Sequence, residues 1–210
     1  MPSSLGNCVT IFVDNSIRFF HYYRVTAYPF NPILADMDRF ESDLCTYLSA
    51  HAAGELRNPE KISDRWAADK SIGHISLLLA TLAAGCHYSD VEYPQRFELT
   101  TDFGTGLLQP TLNFLLTRDL ARRSFHALRL ANFLFRPSLD IIQALLILGN
   151  TLQNMGQSDA AWALLGTTIR LAQTMGLHTE RSTVHWPEYV RGKARALWYA
   201  SENKFGRPRN

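Results

Sequence analysis

Between Ser138 and Gly176 the sequence carries a start and a stop for each of two helices, with almost nothing between them. The Ser138 hydroxyl can accept a bond from a backbone N–H in the first helical turn. Ile142, Leu145, Leu146, Gly149 and Leu152 then recur at helical spacing, up to Gly156, a residue suited to the left-handed backbone that closes helices. Ser158 offers a second cap at once. Ala161, Leu165, Ile169 and Ala172 follow on one face up to Gly176, where Leu177 can fold back on Ala172. Two helices joined so tightly are expected to lie antiparallel. The small residues Gly149, Ala160, Ala161, Ala163 and Gly166 are expected at their crossing, where they would let the axes approach closely.

The rest of the chain can be read in the same way. Phe40, Leu44, Tyr47 and Leu48 form an apolar stripe, with Asp38 and Glu41 as its capping box and Gly54 as its stop. Ile72, Ile75, Leu79, Leu82 and Cys86 form a second stripe on a core helix. From about Tyr88 to Pro110 the prolines and glycines predict a long connection. After Thr117 a helix is expected to carry Leu120, Ser124, Ala127, Leu128, Ala131 and Phe135 on one side and to end at Pro137. Val9 to Val13 is a lone β-branched run. The fold class is therefore all-α, a multi-helix domain with antiparallel helical hairpins.

Several function classes are disfavoured by what the chain contains. Cys8, Cys45 and Cys86 are too far apart for a disulfide framework or a zinc site, and they point to a reducing compartment. The apolar stretch Ile75 to Cys86 falls short of the ~20 residues that cross a bilayer, so no membrane partner is expected. A net charge of +2 gives no overall footprint for nucleic acid. His178-Thr-Glu180 is half of a zinc deaminase signature without its cysteine partner. Asp102-Phe-Gly104 stands without the other kinase motifs, and Gly104-Thr-Gly106 lacks the third glycine of a dinucleotide loop. No catalytic residue is identified, and the chain is expected not to be an enzyme.

Five stretches carry a family resemblance. Ser138-Leu-Asp-Ile-Ile-Gln through Gly156-Gln-Ser-Asp-Ala-Ala-Trp, and then Gly176-Leu-His, resemble the fungal transcription factor regulatory middle homology region. Tyr28-Pro-Phe-Asn-Pro-Ile-Leu and Ser76-Leu-Leu-Leu-Ala-Thr-Leu-Ala-Ala-Gly are similar to its opening helices, and Arg195-Ala-Leu-Trp-Tyr to a later one. The motif residues are Gln143, Gly149, Gly156, Ala161, Trp162, Gly176, Leu177, His178, Arg195 and Trp198. The resemblance implies a flexible segment over 1–16, the partial regulatory domain over 17–200, and a basic tail over 201–210. Gly206-Arg-Pro follows Trp198 more closely than the family spacing, implying a shortened C-terminal end.

What the resemblance implies about function is a nuclear regulator of RNA polymerase II transcription that works through an effector or partner. Its partners would be transcriptional co-regulators or the rest of a transcription factor, with a small-molecule effector and a homodimer both open. Zinc is implied only in a six-cysteine cluster that this chain does not carry, so no metal and no other cofactor is expected here, and no direct sequence-specific DNA binding. Trp162, His178 and Trp198 are the residues that could line an effector pocket. Core packing is the weightier reading of Trp162, and capping of a helix end that of His178. Arg191, Lys193, Arg195, Lys204, Arg207 and Arg209 could touch phosphates, against the plainer reading of a solvated face. The competing function is a helical-repeat interaction scaffold, weakened because no second copy of the Gly156 to Gly176 pattern occurs.

Overall fold

The computed structural model describes residues 15–34, 36–55, 69–89 and 108–179, together with Gly192 and Arg195, both helical. Six helical elements follow one another, and no strand occurs among the described residues. Helix α1 covers 15–22 and runs into a π-helical turn, Tyr23–Ala27. The others are α2 (Met37–Ala52), α3 (Asp69–His87), α4 (Leu108–Leu130), α5 (Leu139–Asn154) and α6 (Ser158–Thr174). The all-α class expected from periodicity is the class observed. The Val9 to Val13 run, residues 90–107 of the expected connection, Trp198 and the 201–210 tail lie outside the described residues.

Helix α3 is the centre. Every residue from Ser76 to Cys86 is buried, whichever way its side chain points. The stripe expected on α3 is thus only part of its buried surface, and Ile72 and Ile75 at its start are only half-buried. Helices α4 and α5 pack along α3, and the π-helical turn touches it too. Leu78 and Leu82 are wholly removed from water, each worth about 2 kcal/mol relative to exposure. The polar groups in this core find partners. The Ser124 hydroxyl donates to the Ser76 carbonyl at 2.8 Å, and the two hydroxyl oxygens lie 3.0 Å apart, joining α3 to α4. The Thr81 hydroxyl donates to the Leu77 carbonyl within its own helix at 2.9 Å.

The closest backbone approach is not where the small residues of α5 and α6 place it. A Cβ on Gly85 of α3 would sit 1.9 Å from the Phe19 carbonyl oxygen of α1, so this glycine lets two backbones touch. At Gly149 and Gly166 an added Cβ meets nothing within 4 Å, and Ala160 and Ala163 are exposed. The expected close crossing is therefore corrected for Gly149, Ala160, Ala163 and Gly166. Of the small residues expected there only Ala161 is buried, and helices α5 and α6 meet through it together with Thr168, Leu171 and Ala172 on the α6 side.

Helix ends explain the remaining differences. Asp36, in extended backbone, caps α2 by accepting from the Arg39 N–H at 3.1 Å. Asp38, expected in that role, is already inside the first turn, where its charge suits the positive helix end. Helix α4 starts at Leu108, ahead of the expected Thr117, because Pro110 falls in the first turn, where no N–H is needed. It stops at Leu130, well short of Pro137. Asn132 takes a left-handed φ of 53°, and the Phe133 N–H reaches back to the Leu128 carbonyl at 3.3 Å. This is the helix end that glycine usually makes, built here on asparagine. Phe135 consequently leaves the helix face and is 80% exposed.

Ser138 caps α5 as expected, accepting from the Ile141 N–H at 3.3 Å. Gly156 closes it at φ 78°. Ser158 does not cap α6, because Gln157 occupies the cap position without a side-chain bond. Its backbone serves both helices. The Gln157 N–H bonds the Leu152 carbonyl at 2.9 Å, and the Gln157 carbonyl accepts from Ala161 at 3.0 Å. At the far end Gly176 has φ 73°, the Leu177 N–H bonds the Ala172 carbonyl at 3.0 Å, and Leu177 is buried as expected.

Candidate functional site

Two neighbouring clefts flank α5. The first, about 360 Å³, runs along the α5–α6 seam, with Leu145, Leu146, Gly149, Ala161, Trp162 and Leu165 as its apolar wall. The Gly149 position leaves it open, since no side chain fills the space there. Trp162 is 55% exposed, so it is not the core residue that its size suggested. Trp162 stands on the outward side of α6 and lines this groove.

The second cleft, about 520 Å³, lies between the π-helical turn, the end of α3 and α5. Asn31 and Asn150 line both clefts and so form the ridge between them. Tyr23 lines the second cleft and is 2% exposed, yet its hydroxyl has no hydrogen-bond partner among the described residues. Burial, helped by the neighbouring Tyr28, pushes ionisation of that phenol far above its ordinary range, so it stays a donor.

The motif residues divide between roles. Gly149, Ala161 and Trp162 come together in the first cleft. Gly156, Gly176 and Leu177 shape helix ends, and Gln143 is buried, its amide donating to the Leu139 carbonyl at 3.3 Å. His178 is exposed just beyond the α6 end and is not part of either lining, and Arg195 is an exposed helical residue. Trp198 lies outside the described residues, as do Glu180, Asp102, Gly104 and Gly106.

A third arrangement went unread in the sequence. The His74 imidazole of α3 has Nδ1 3.2 Å from the Asp140 carboxylate of α5 and Nε2 3.4 Å from that of Asp43 in α2. The Nδ1 hydrogen bond joins α3 to α5, while Nε2 makes no hydrogen bond among the described residues and has the Asp43 carboxylate only within ion-pair distance; the Phe40 ring centroid is 6.3 Å away. Sixty-six residues separate His74 from Asp140, so no local pattern could reveal the pair. These three side chains line neither cleft, and their hydrogen bond joins α3 to α5. Among the described residues no group of three or more His, Cys, Asp or Glu could hold a metal ion.

Comparison with known proteins bears on this arrangement. A protein from Aspergillus fumigatus, described as the C6 finger domain transcription factor nscR, is 29% identical over 110 residues. That match covers 52% of this chain and 14% of the relative's length. No solved structure matches. The family model described as the fungal specific transcription factor domain matches residues 18–200, from the first turn of α1 to beyond α6. A match over most of the 210 residues, on helices that fold as the motifs require, leads to one conclusion: the chain belongs to the fungal specific transcription factor domain family.

Proposed function

We propose that this chain is the regulatory part of a zinc-cluster-type transcription factor that acts in the nucleus on RNA polymerase II transcription. Its helices would pass the binding of an effector or partner to an activating or DNA-contacting segment outside these residues. The observation that carries the reading is the family match over residues 18–200. It is supported by the similarity to a C6 finger transcription factor. Sequence-specific DNA contact is assigned elsewhere, because the six thiolates of such a cluster have no counterpart among Cys8, Cys45 and Cys86. Zinc would belong to that cluster and not to this chain. Co-regulators, or the rest of the same transcription factor, are the partners this reading requires. No described helix is long and apolar enough to cross a membrane.

A helical-repeat scaffold fits less well. In a solenoid each unit touches only its neighbours. Solenoids need about three or more such units, and no second copy of the Gly156 to Gly176 pattern occurs in the sequence. Tethering tests the regulatory reading. The chain is fused to a DNA-binding domain of known site, and transcription of a reporter bearing that site is measured in a fungal host. Reporter output should move away from that of the DNA-binding domain alone. An unchanged output, with the fusion shown to be present and folded, overturns the proposal.

A further inference from the structure

Helix α4 turns a strongly basic side to water. Between Leu108 and Leu130 it carries Arg118, Arg122, Arg123 and Arg129 against a single carboxylate, Asp119. That carboxylate is taken, since it accepts from the Arg123 guanidinium at 2.8 Å. Arg118, Arg122 and Arg129 are exposed and make no ion pair among the described residues. At about 3.6 residues per turn they fall within roughly 40° of arc and span roughly 16 Å of the axis, so they form one row. The other side of the helix, with Thr117, Ser124 and Leu128, is buried, and Ser124 bonds α3 from it. Arg118 and Arg122 stand four apart, a like-charge spacing that weakens a helix unless an anion lies across both. Apolar side chains stand at both ends of the row. Phe114 and Leu115, one turn ahead of Arg118, are exposed, as is Leu130 beside Arg129, and the exposed Leu134 and Phe135 follow just past the helix end. Cations in a line between apolar groups match a chain that bears both carboxylates and apolar side chains. They match nucleic acid poorly, because a phosphate backbone offers leucine and phenylalanine no cover.

We propose that the outer side of α4 docks an acidic amphipathic helix of a partner protein, whose carboxylates pair with Arg118, Arg122 and Arg129 and whose apolar side chains cover Leu115 and Leu130. Arginine suits this role because its planar guanidinium grips a carboxylate through two parallel hydrogen bonds. Single exposed ion pairs contribute little, so affinity comes from the row acting together with the apolar cover, and it weakens as salt rises. No described residue of α4 lines either cleft, so this surface is separate from both. The inference gives the regulatory reading a partner chemistry and rests on it for its meaning in the cell, whereas binding is measured on the chain alone.

The test is fluorescence anisotropy with the 210-residue chain and a labelled synthetic peptide in which glutamate and leucine recur at helical spacing. A length of roughly 18 residues spans the row. The peptide should bind one per chain, about ten-fold or more tightly than its counterpart with lysine in place of glutamate. Arg118→Gln, Arg122→Gln and Arg129→Gln combined should weaken it about ten-fold, with the melting temperature level or higher because the like charges are gone. Arg122→Glu alone should weaken it about five-fold, and Leu130→Ser about three-fold. Arg170→Gln removes the same charge from an exposed position on α6 and should change nothing. Duplex DNA of random sequence, at equal charge concentration, should displace the peptide less than unlabelled peptide does. The proposal is overturned if binding does not saturate, if the lysine peptide binds equally well, or if either arginine variant or Leu130→Ser binds as wild type does. It is also overturned if Arg170→Gln weakens binding as much as the triple variant, or if duplex DNA displaces the peptide equally, which would make the face a phosphate surface. None of these results alters the tethered reporter output of the wild-type chain, so the two readings fail separately.

Discussion

One methyl group decides the α1–α3 contact. At Gly85 the added carbon would lie 1.9 Å from the Phe19 carbonyl oxygen and 2.6 Å from its carbon, both backbone atoms that cannot swing aside. Gly85→Ala should therefore lower stability by about 3 kcal/mol or more, read as a shift in denaturant midpoint. Gly166→Ala, in a helix interior with nothing near the new methyl among the described residues, should raise it by roughly 0.5–1 kcal/mol. Equal effects at the two sites would mean that the close crossing has been misplaced. The two buried phenols give a pH signature. Burial raises the ionisation of Tyr23 and Tyr47 above the ordinary 10.0, with Arg123 partly opposing the shift at Tyr47. The unfolded chain then gives up these protons first, so their contribution is complete below pH 10.0 and is lost as pH climbs from there through the raised native values. Stability against denaturant, followed upward from about pH 9, should fall more gently in Tyr23→Phe than in wild type. Parallel curves would show Tyr23 to be accessible. Neither Gly85 nor Tyr23 stands out in the sequence, because what makes each special is an atom from another helix.

Signals confined to a few residues of chain were legible, and those that needed a partner were not. Gly54, Gly156 and Gly176 all take the positive φ their positions suggested, and Ser138 caps α5. The end of α4 was misplaced because Asn132 supplies the left-handed turn before Pro137 is reached. In the same way Gln157 caps α6 through its backbone alone, which leaves no mark in residue type. Burial was legible by stripe but not by degree: α3 and α5 are covered nearly all round, whereas α6 keeps Trp162 and Ala163 in water. Amide exchange should accordingly be slowest at Leu78 and Leu82 of α3 and Leu145 and Leu148 of α5, and faster at Ala163 and Thr167 of α6. If α6 were as slow as α3, the two-helix unit rather than α3 would be the stable heart of the fold. Removing the α5 cap with Ser138→Ala should cost about 1 kcal/mol.

At the scale of the whole molecule the family was legible from the Ala161-Trp162 and Gly176-Leu177-His178 motifs, while the clefts were not. Tyr23 and Asn31 stand far from Asn150 in the chain and share a wall with it only once α5 has packed. A chain with net charge +2 and no metal-held recognition helix should bind duplex DNA weakly, steeply with salt and without preference for CGG-bearing over random sequence. Anisotropy titrations of the chain against both duplexes check this, and a preference that survives high salt would reveal a missed recognition element. The central position of α3 also bears on how such a sequence can drift. Substitutions accumulate most freely where water is one of a residue's neighbours, and between Ser76 and Cys86 no residue has that neighbour. Lineages can therefore rewrite the outer face of α6 and the mouths of the clefts, while the helix that holds those mouths in place has no side left to vary between Ser76 and Cys86.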